Sequence, residues 1–485
     1  MAVVEDVQVL QVLRGFNPWW STGAVPEDLL RPFPRIAFHE AIRLMERRDL
    51  RRAVILSGAR RVGKTTILYQ VADRYLQRGW PPERILYVSF DHPILKLVSL
   101  ESLIEIFEVN VAAGSPEVLL LLDEIHYASD WAAWLKILVD RHPGFRIMAT
   151  GSASARLQVE GAESGAGRWT HVHVPPLSFY EYLRLRNLPA PAMPKGLDLA
   201  ALPTLPTAEA QALVTRAQAV EPHLPRYLLA GGFPETALAE ELSLAQRLMR
   251  EDIVDRVLKR DMTALYGIRN VLDLERLFVY LCLHTGEILS MDTVAKELGV
   301  SRTKVATDIV SLEMAHLIHR SNPVDTHGKR ALKPRPKVYM ADPALRNAVL
   351  LRGDEILADA AEMGLIVDTA AFVHTKGHYR AEGAEVGYWR ESASGREVDV
   401  VVVRPDGVWL AAEVKYRQQP ATSPSSGLAR FLARQPRVPG FVVTKRAEDF
   451  GPMELGIPGV RLYQVPAFLF LYLLGWMTAE RAGAV

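Results

Sequence analysis

The sequence predicts an α/β chain of several domains, and three observations predict it. An apolar run, Ala53–Ser57, leads into Gly58-Ala-Arg-Arg-Val-Gly-Lys-Thr65 and then into a helical pattern. Further on, two amphipathic helical stretches are joined by Gly299-Val300. Near the end, a helical stretch precedes three short strand patterns that carry Asp399 and Glu413-Val414-Lys415.

The spacing GxxxxGKT is the phosphate-binding loop of P-loop nucleoside triphosphatases. Backbone N–H groups of Gly58, Ala59, Arg60, Arg61, Val62, Gly63, Lys64, Thr65 and Thr66 can wrap a polyphosphate where side chains do not block them. Lys64 then reaches the β- and γ-phosphates of ATP, and Thr65 offers a hydroxyl to Mg²⁺. The buried-strand pattern before the loop and the helical pattern of 65–77 after it, stopped at Gly79, supply the required context.

A second apolar run, 118–122, ends in Asp123-Glu124. This is the Walker B pattern: Asp123 holds the Mg²⁺ shell and Glu124 polarises the attacking water. One more strand, 85–90, lies between the two motifs in sequence. With Glu124 it marks the additional-strand, catalytic-glutamate class of ATPases. The next strand, 145–149, ends Thr150-Gly151-Ser152. A polar side chain there would sense the γ-phosphate, with Ser152 the first candidate and Thr150 the second; a helix N-cap is the competing use.

Gly-rich 161–168 ends in Arg168, which fits either an arginine finger donated to a neighbouring subunit or a structural ion pair. Residues 169–174 alternate as a strand with one wet face, so His171 and His173 read as solvent-facing rather than as metal ligands. Asn17-Pro18-Trp19-Trp20 reads as the anchor of an N-terminal arm rather than as an adenine platform.

The runs GARRVGKTT, LLLLDEIH, ATGSASARL, the GR before VPPLSFYEYL, and AGGFPE resemble the AAA-type (AAA_14-like) ATPases often paired with a DUF4143-like C-terminal region. The likeness runs from about Asn17 to about Pro466, and its specific parts are PLSFYEYL and GGFPE. It implies a P-loop AAA+ ATPase sheet followed by a helical lid, which the helix-rich 208–261 would supply.

Residues 188–206 are rich in Pro and Ala and read as a linker or surface insertion. Helical patterns at 272–284, 290–298 and 302–315, with Ser301 as a cap, make a winged helix-turn-helix, and short strands at 317–320 and 337–340 follow. The loop between those strands carries Arg320, Lys329, Arg330, Lys333, Arg335 and Lys337 against one acid, Asp325. With Arg302 and Lys304 at the start of the third helix, this basic wing would track a DNA backbone without reading its sequence.

From 357 onward the order helix, three strands, helix, strand is the core of PD-(D/E)xK nucleases. Glu413 and Lys415 are two apart on one strand and project together. Asp399 joins their face only if the turn at 405–407 sets the pairing or one strand is bulged. Carboxylates there would bind Mg²⁺ and Lys415 would steady the scissile phosphate. The resemblance implies a further acid on the preceding helix. Asp368 stands at the matching position, where the family often has glutamate.

At 485 residues the chain has room for roughly three domains. Its 57 basic residues against 56 acidic ones, net charge +1, confine any nucleic-acid surface to a local patch. A single cysteine, Cys282, excludes a disulfide framework and suits a reducing cytoplasm. The greasiest stretch, 465–477, falls short of the ~18 residues needed to span a bilayer and reads as a docked C-terminal helix, so no membrane partner is expected.

The expected organisation is therefore an arm (1–50), ATPase core (51–185), linker and lid (186–262), winged helix (263–345), α/β PD-(D/E)xK nuclease-like domain (346–464) and docked helix (465–485). The expected activity is ATP hydrolysis in a homo-oligomer such as a hexameric ring. It would be coupled to remodelling or translocation on duplex or branched DNA, with metal-dependent cleavage optional. The alternative is a STAND-type ATP-binding signalling switch with a degenerate nuclease-like domain.

Overall fold

The computed structural model describes residues 4–47, 49–151, 167–263, 267, 268, 270–324, 335–391, 394–419, 423 and 425–485. The chain forms two compact units, Met1–Pro175 with Ala482–Ala484, and Pro176–Arg481 with Val485.

Among the described residues the first unit holds a five-stranded sheet: β1 (Ala53–Ser57), β2 (Ile85–Ser89), β3 (Val118–Asp123), β4 (Phe145–Gly151) and β5 (Trp169–His173). All neighbours are parallel, in the order β2-β3-β4-β1-β5. A parallel sheet is covered on both faces, which is why β1 and β3 are buried along their whole length and apolar up to their last residues, Ser57 and Asp123. The strand inserted between β1 and β3 in space is β4. Residues 85–89, the strand between the motifs in sequence, take the edge instead.

That edge explains the arm. The helix Asp6–Phe16 lays Val9 and Leu13 into the core with Leu86, Val88 and Phe107. Asn17 then pairs with both backbone groups of Tyr87: its Nδ2 donates to the carbonyl at 2.8 Å and its Oδ1 accepts from the N–H at 2.6 Å. The indoles of Trp19 and Trp20 donate to the carbonyl of Ile85 at 3.1 and 2.9 Å. Bare edge strands invite foreign pairing, and here side chains satisfy the edge. The arm is thus part of the first core.

In the second unit the helix Phe179–Leu185 is capped reciprocally by Ser178 and Glu181. Within 188–206 the 3₁₀ turn Leu199–Thr204 buries Leu199 and Leu202.

The helices Val271–Leu283, Met291–Leu298 and Arg302–Met314 follow, then an antiparallel hairpin of β6 (Ile318–Ser321) and β7 (Lys337–Met340). Gly299 takes the left-handed conformation, φ 69°, that ends a helix, and the Ser301 hydroxyl accepts the N–H of Lys304.

The last sheet holds β8 (Glu385–Arg390), β9 (Glu397–Arg404), β10 (Gly407–Val414), β11 (Pro439–Thr444), β12 (Gly451–Met453) and β13 (Arg461–Pro466). Their order is β12-β13-β11-β10-β9-β8, antiparallel from β8 to β10 and parallel from β10 through β11 to β13. The helices Ala360–Arg380 and Gly427–Arg434 pack on it. The C-terminal helix Ala467–Ala482 is buried within this unit, and Gly475 is required there because a Cβ would meet that of Tyr180 at 2.6 Å. Among the described residues no helix is long and apolar enough to cross a membrane.

Candidate functional site

The phosphate loop begins where β1 ends, at the carboxyl edge of the sheet, where parallel sheets place their ligands. Gly58 packs against the end of β5 so closely that a Cβ would stand 2.2 Å from the carbonyl oxygen of Val174. Arg61 and Gly63 are left-handed, φ 65° and 95°. For Arg61 that conformation costs about 1–2 kcal/mol, a strain typical of ligand-holding loops.

Arg35 braces this loop. Its buried guanidinium donates to the carbonyls of Val62 at 2.6 Å and Pro175 at 2.8 Å. Lys64 opens the helix Lys64–Gln77, and its ammonium donates to the carbonyls of Gly58 at 3.0 Å and Ala59 at 2.8 Å. The lysine thus lies across the hollow of its own loop.

Asp123 ends β3 beside this lysine's neighbour. Its Oδ2 accepts from the Thr65 hydroxyl at 2.8 Å and the Tyr87 hydroxyl at 3.0 Å, and its Oδ1 accepts from the Thr150 hydroxyl. Burial raises the Asp123 pKa, helped by the charge of Glu124; the three hydroxyls pull it back. Thr150 also accepts the backbone N–H of Glu124 at 3.0 Å, tying the two acids together. Glu124 is itself left-handed, φ 50°, and its carboxylate stands 3.3 Å from the buried imidazole of His126.

A carboxylate gathering hydroxyls beside a phosphate loop is a fitting donor set for a hard divalent cation. Thr65 and Asp123 would hold Mg²⁺ there. Ser152 lies outside the described residues. Arg168 does not approach this site within the chain. It sits at the amino end of β5, where its carbonyl accepts from Ala53, about 16 Å along β1 from the loop. There its Nε is 3.0 Å from both carboxylate oxygens of Asp140.

Thr150 carries a prediction. Thr150→Val removes one donor to Asp123 and the acceptor for Glu124. Hydrogen bonds to charged groups contribute about 1.5–3 kcal/mol, so kcat should fall about tenfold or more while KM for ATP moves less. Steady-state rates at saturating Mg²⁺ check this.

The second candidate site lies on the C-terminal sheet. β9 and β10 pair Val408 with Val403 but Leu410 with Val402, so Trp409 is an extra residue. That bulge shifts the register by one and sets Asp399 opposite Glu413 on one face. Asp399 Oδ2 accepts the N–H of Val414 at 3.3 Å, and Lys415 Nζ is 2.5 Å from Glu413 Oε1. An open cavity of about 650 Å³ adjoins them, lined also by Arg396, Glu397 and Arg417.

A metal site of Asp368, Asp399 and Glu413 does not fit this arrangement as it stands. Among the described residues no group of three or more His, Cys, Asp or Glu is arranged to hold a metal ion. The reason is Lys337. Its side chain is only 4% exposed, and its ammonium is 3.2 Å from Asp399 Oδ1 and 3.0 Å from Glu397 Oε2. Burial opposes its charge, but Asp399, Asp368 and Glu397 outweigh burial and hold its pKa above the ordinary lysine value. Asp368, on the helix Ala360–Arg380, is half-buried; desolvation, then the charge of Asp399, push its pKa up toward the protonated form.

The expected DNA-facing residues divide. Lys329, Arg330 and Lys333 lie outside the described residues. Arg335 is exposed, and Arg302 is exposed at 3.4 Å from Asp292. Lys304 is turned along its own helix, 2.8 Å from Asp308, and Arg320 is 2.5 Å from Glu313. Lys337 leaves the basic wing altogether for the carboxylates of β9.

Comparison with known proteins places three family models along the chain. An AAA-domain model matches residues 50–183, a domain of unknown function (DUF8612) matches 221–355, and another (DUF4143) matches 363–462. The DUF4143 match is therefore narrower than the resemblance implied: the three helices of 271–314 and the β6–β7 hairpin fall under the DUF8612 model.

The chain is 24% identical over 300 residues to an uncharacterized protein of Haemophilus influenzae, covering 60% of this chain and 68% of that one. It is 25% identical over 256 residues to an uncharacterized protein of Methanocaldococcus jannaschii, covering 53% of this chain and 52% of that one. Among solved structures, an Aeropyrum pernix ORC1 protein in complex with DNA aligns with TM-score 0.29 and 16% identity, over 68% of this chain and 95% of its own. A signal-transduction ATPase (STAND protein) of Pyrococcus horikoshii aligns with TM-score 0.21 and 12% identity, over 71% of this chain and 48% of its own. TM-scores this low carry no argument about this chain.

Proposed function

We propose that this chain is a Mg²⁺-dependent ATPase of the AAA+ class that acts on DNA. The observation that carries the nucleotide half is the convergence of Thr65, Tyr87 and Thr150 on Asp123, beside Lys64 and its loop. ATP's phosphates would replace the carbonyls of Gly58 and Ala59 as partners of Lys64 and lie along the N–H groups of 58–66. Mg²⁺ supplies charge neutralisation at the β- and γ-phosphates. Glu124 orients the attacking water, and Thr150 fixes its backbone relative to Asp123. Arg168 would serve a neighbouring copy in a ring only by leaving Asp140.

The DNA half rests on two exposed cations of the second unit, Arg302 and Arg335, and on the basic residues Lys329, Arg330 and Lys333 of the intervening sequence. Together they would meet phosphates of a duplex or branched substrate. The test is retention of labelled duplex by the full chain across a salt series. The double variant Arg302→Ala, Arg335→Ala should bind more weakly and lose about 1 from the salt slope per contact removed. Equal binding and equal slope would count against this surface.

A second reading is favoured by one observation, the lysine that fills the acid cluster of the C-terminal sheet. It makes the chain a STAND-type switch with a degenerate nuclease-like domain. A turnover number near zero, with assembly that requires ATP, would select this reading over the first.

A further inference from the structure

The acid cluster on β9 already has a cation. Lys337 starts β7, and its backbone is held by the ladder to Ser321, by a bridge to Ile288, and by the N–H of Leu289 donating to Pro336 at 2.8 Å. From this fixed base its side chain reaches Glu397 and Asp399 on β9, at 3.0 and 3.2 Å. Residues two apart on a strand share a face, so one ammonium serves both carboxylates. Its Nζ also lies 5.4 Å from the ring centroid of Tyr388, whose hydroxyl donates to the carbonyl of Arg335 at 2.6 Å.

The junction that delivers this lysine is built in. The N–H of Val324 donates to the carbonyl of Tyr388 at 2.8 Å, and the N–H of Tyr388 donates to the carbonyl of Asn322 at 3.1 Å. Gly387 permits that approach, since a Cβ there would stand 2.2 Å from the carbonyl oxygen of Asn322. Both ends of the β6–β7 hairpin are thus fastened to β8 or its neighbours. A buried charge persists only where it is paired, and here Lys337 is paired with two carboxylates. On the acid side Asp368 Oδ1 and Glu413 Oε2 are buried without a hydrogen-bond partner.

We propose that Lys337 is the resident cation of this cluster, so that its ammonium and a divalent metal exclude each other there. A metal on Asp399 would sit about 2.0–2.6 Å from the carboxylate oxygen, within a few ångströms of an ammonium held in place by Glu397 and Asp399. With Lys337 in place, the C-terminal sheet is a charge-locked joint to the hairpin and not a metal-dependent nuclease. This inference does not rest on the ATPase reading.

The test is Mn²⁺ binding to the full chain without nucleotide, measured by calorimetry and by the electron paramagnetic resonance of free Mn²⁺. Dependence on Asp399 separates this cluster from any metal held at Thr65 and Asp123. The wild-type chain should show no Asp399-dependent site at submillimolar Mn²⁺. Lys337→Met, or Lys337→Gln with its neutral donor, should tighten Mn²⁺ binding about tenfold or more, and adding Asp399→Asn should remove the gain. A wild-type site lost on Asp399→Asn overturns the proposal, and so does a folded Lys337 variant whose Mn²⁺ affinity is unchanged. Should neither variant fold, the wild-type measurement decides alone.

Discussion

Glu124→Gln should lower ATP turnover by about a hundredfold or more while nucleotide binding survives. The substitution keeps size and hydrogen-bonding capacity but removes the carboxylate that orients and polarises water. Binding survives because the phosphate-holding groups lie elsewhere: Lys64 on its loop, and Thr65 on Asp123. The backbone N–H of Glu124 would still reach Thr150, so the left-handed turn at φ 50° persists. The expected pattern is a collapsed kcat with little change in the Kd of a fluorescent ATP analogue. Lys64→Ala should show the opposite pattern, with binding itself lost. Equal loss of both quantities in Glu124→Gln would mean the side chain supports the fold and not the chemistry.

Gly58→Ala should abolish nucleotide binding and destabilise the first unit by about 3 kcal/mol or more. The added Cβ would stand 2.2 Å from Val174 O, and that carbonyl cannot step aside. The N–H of Val174 donates to Ser57 at 2.7 Å, so the backbone there is pinned to β1. A flexible side chain could yield; a ladder carbonyl cannot. Gly15→Ala is the matched control. Gly15 lies in the helix Asp6–Phe16, and a Cβ there would meet nothing within 4 Å. It should be neutral or gain about 0.5–1 kcal/mol. Urea melts of both variants check the pair, and similar midpoints would refute the steric account.

The features legible in the sequence were those with a local cause. The loop spacing, the apolar runs of β1 and β3, and the Ser301 cap each depend on residues within a few positions. What escaped depends on register or on distant partners. Tyr87 reads as one aromatic in a buried strand. It joins the site only because β2 pairs it with Leu121, two residues before Asp123 and therefore on the same face. Arg35 lies 27 positions from Val62, and nothing in its neighbourhood marks it as a brace for the loop.

Lys337 is the sharpest case. By composition it belongs to a basic loop, yet strand alternation turns its side chain from the wing toward β9. Counting charges along a loop ignores which face of a strand each one takes. The bulge at Trp409 shows the converse. The sequence sets the condition under which Asp399 and Glu413 share a face, and one extra residue in β10 meets it. The indole of that residue is covered by the Arg404 guanidinium, 3.5 Å from the ring centroid, which gives the bulge a partner of its own.

The central claim is that triphosphate chemistry in the first unit responds to nucleic acid held by the second. The direct measurement is the ATP turnover of the full chain at low salt, alone and with single-stranded, duplex and four-way DNA. The claim predicts a basal rate that duplex or four-way DNA raises several-fold, with both rates lost in Glu124→Gln. A rate that stays the same across all DNA forms would contradict it.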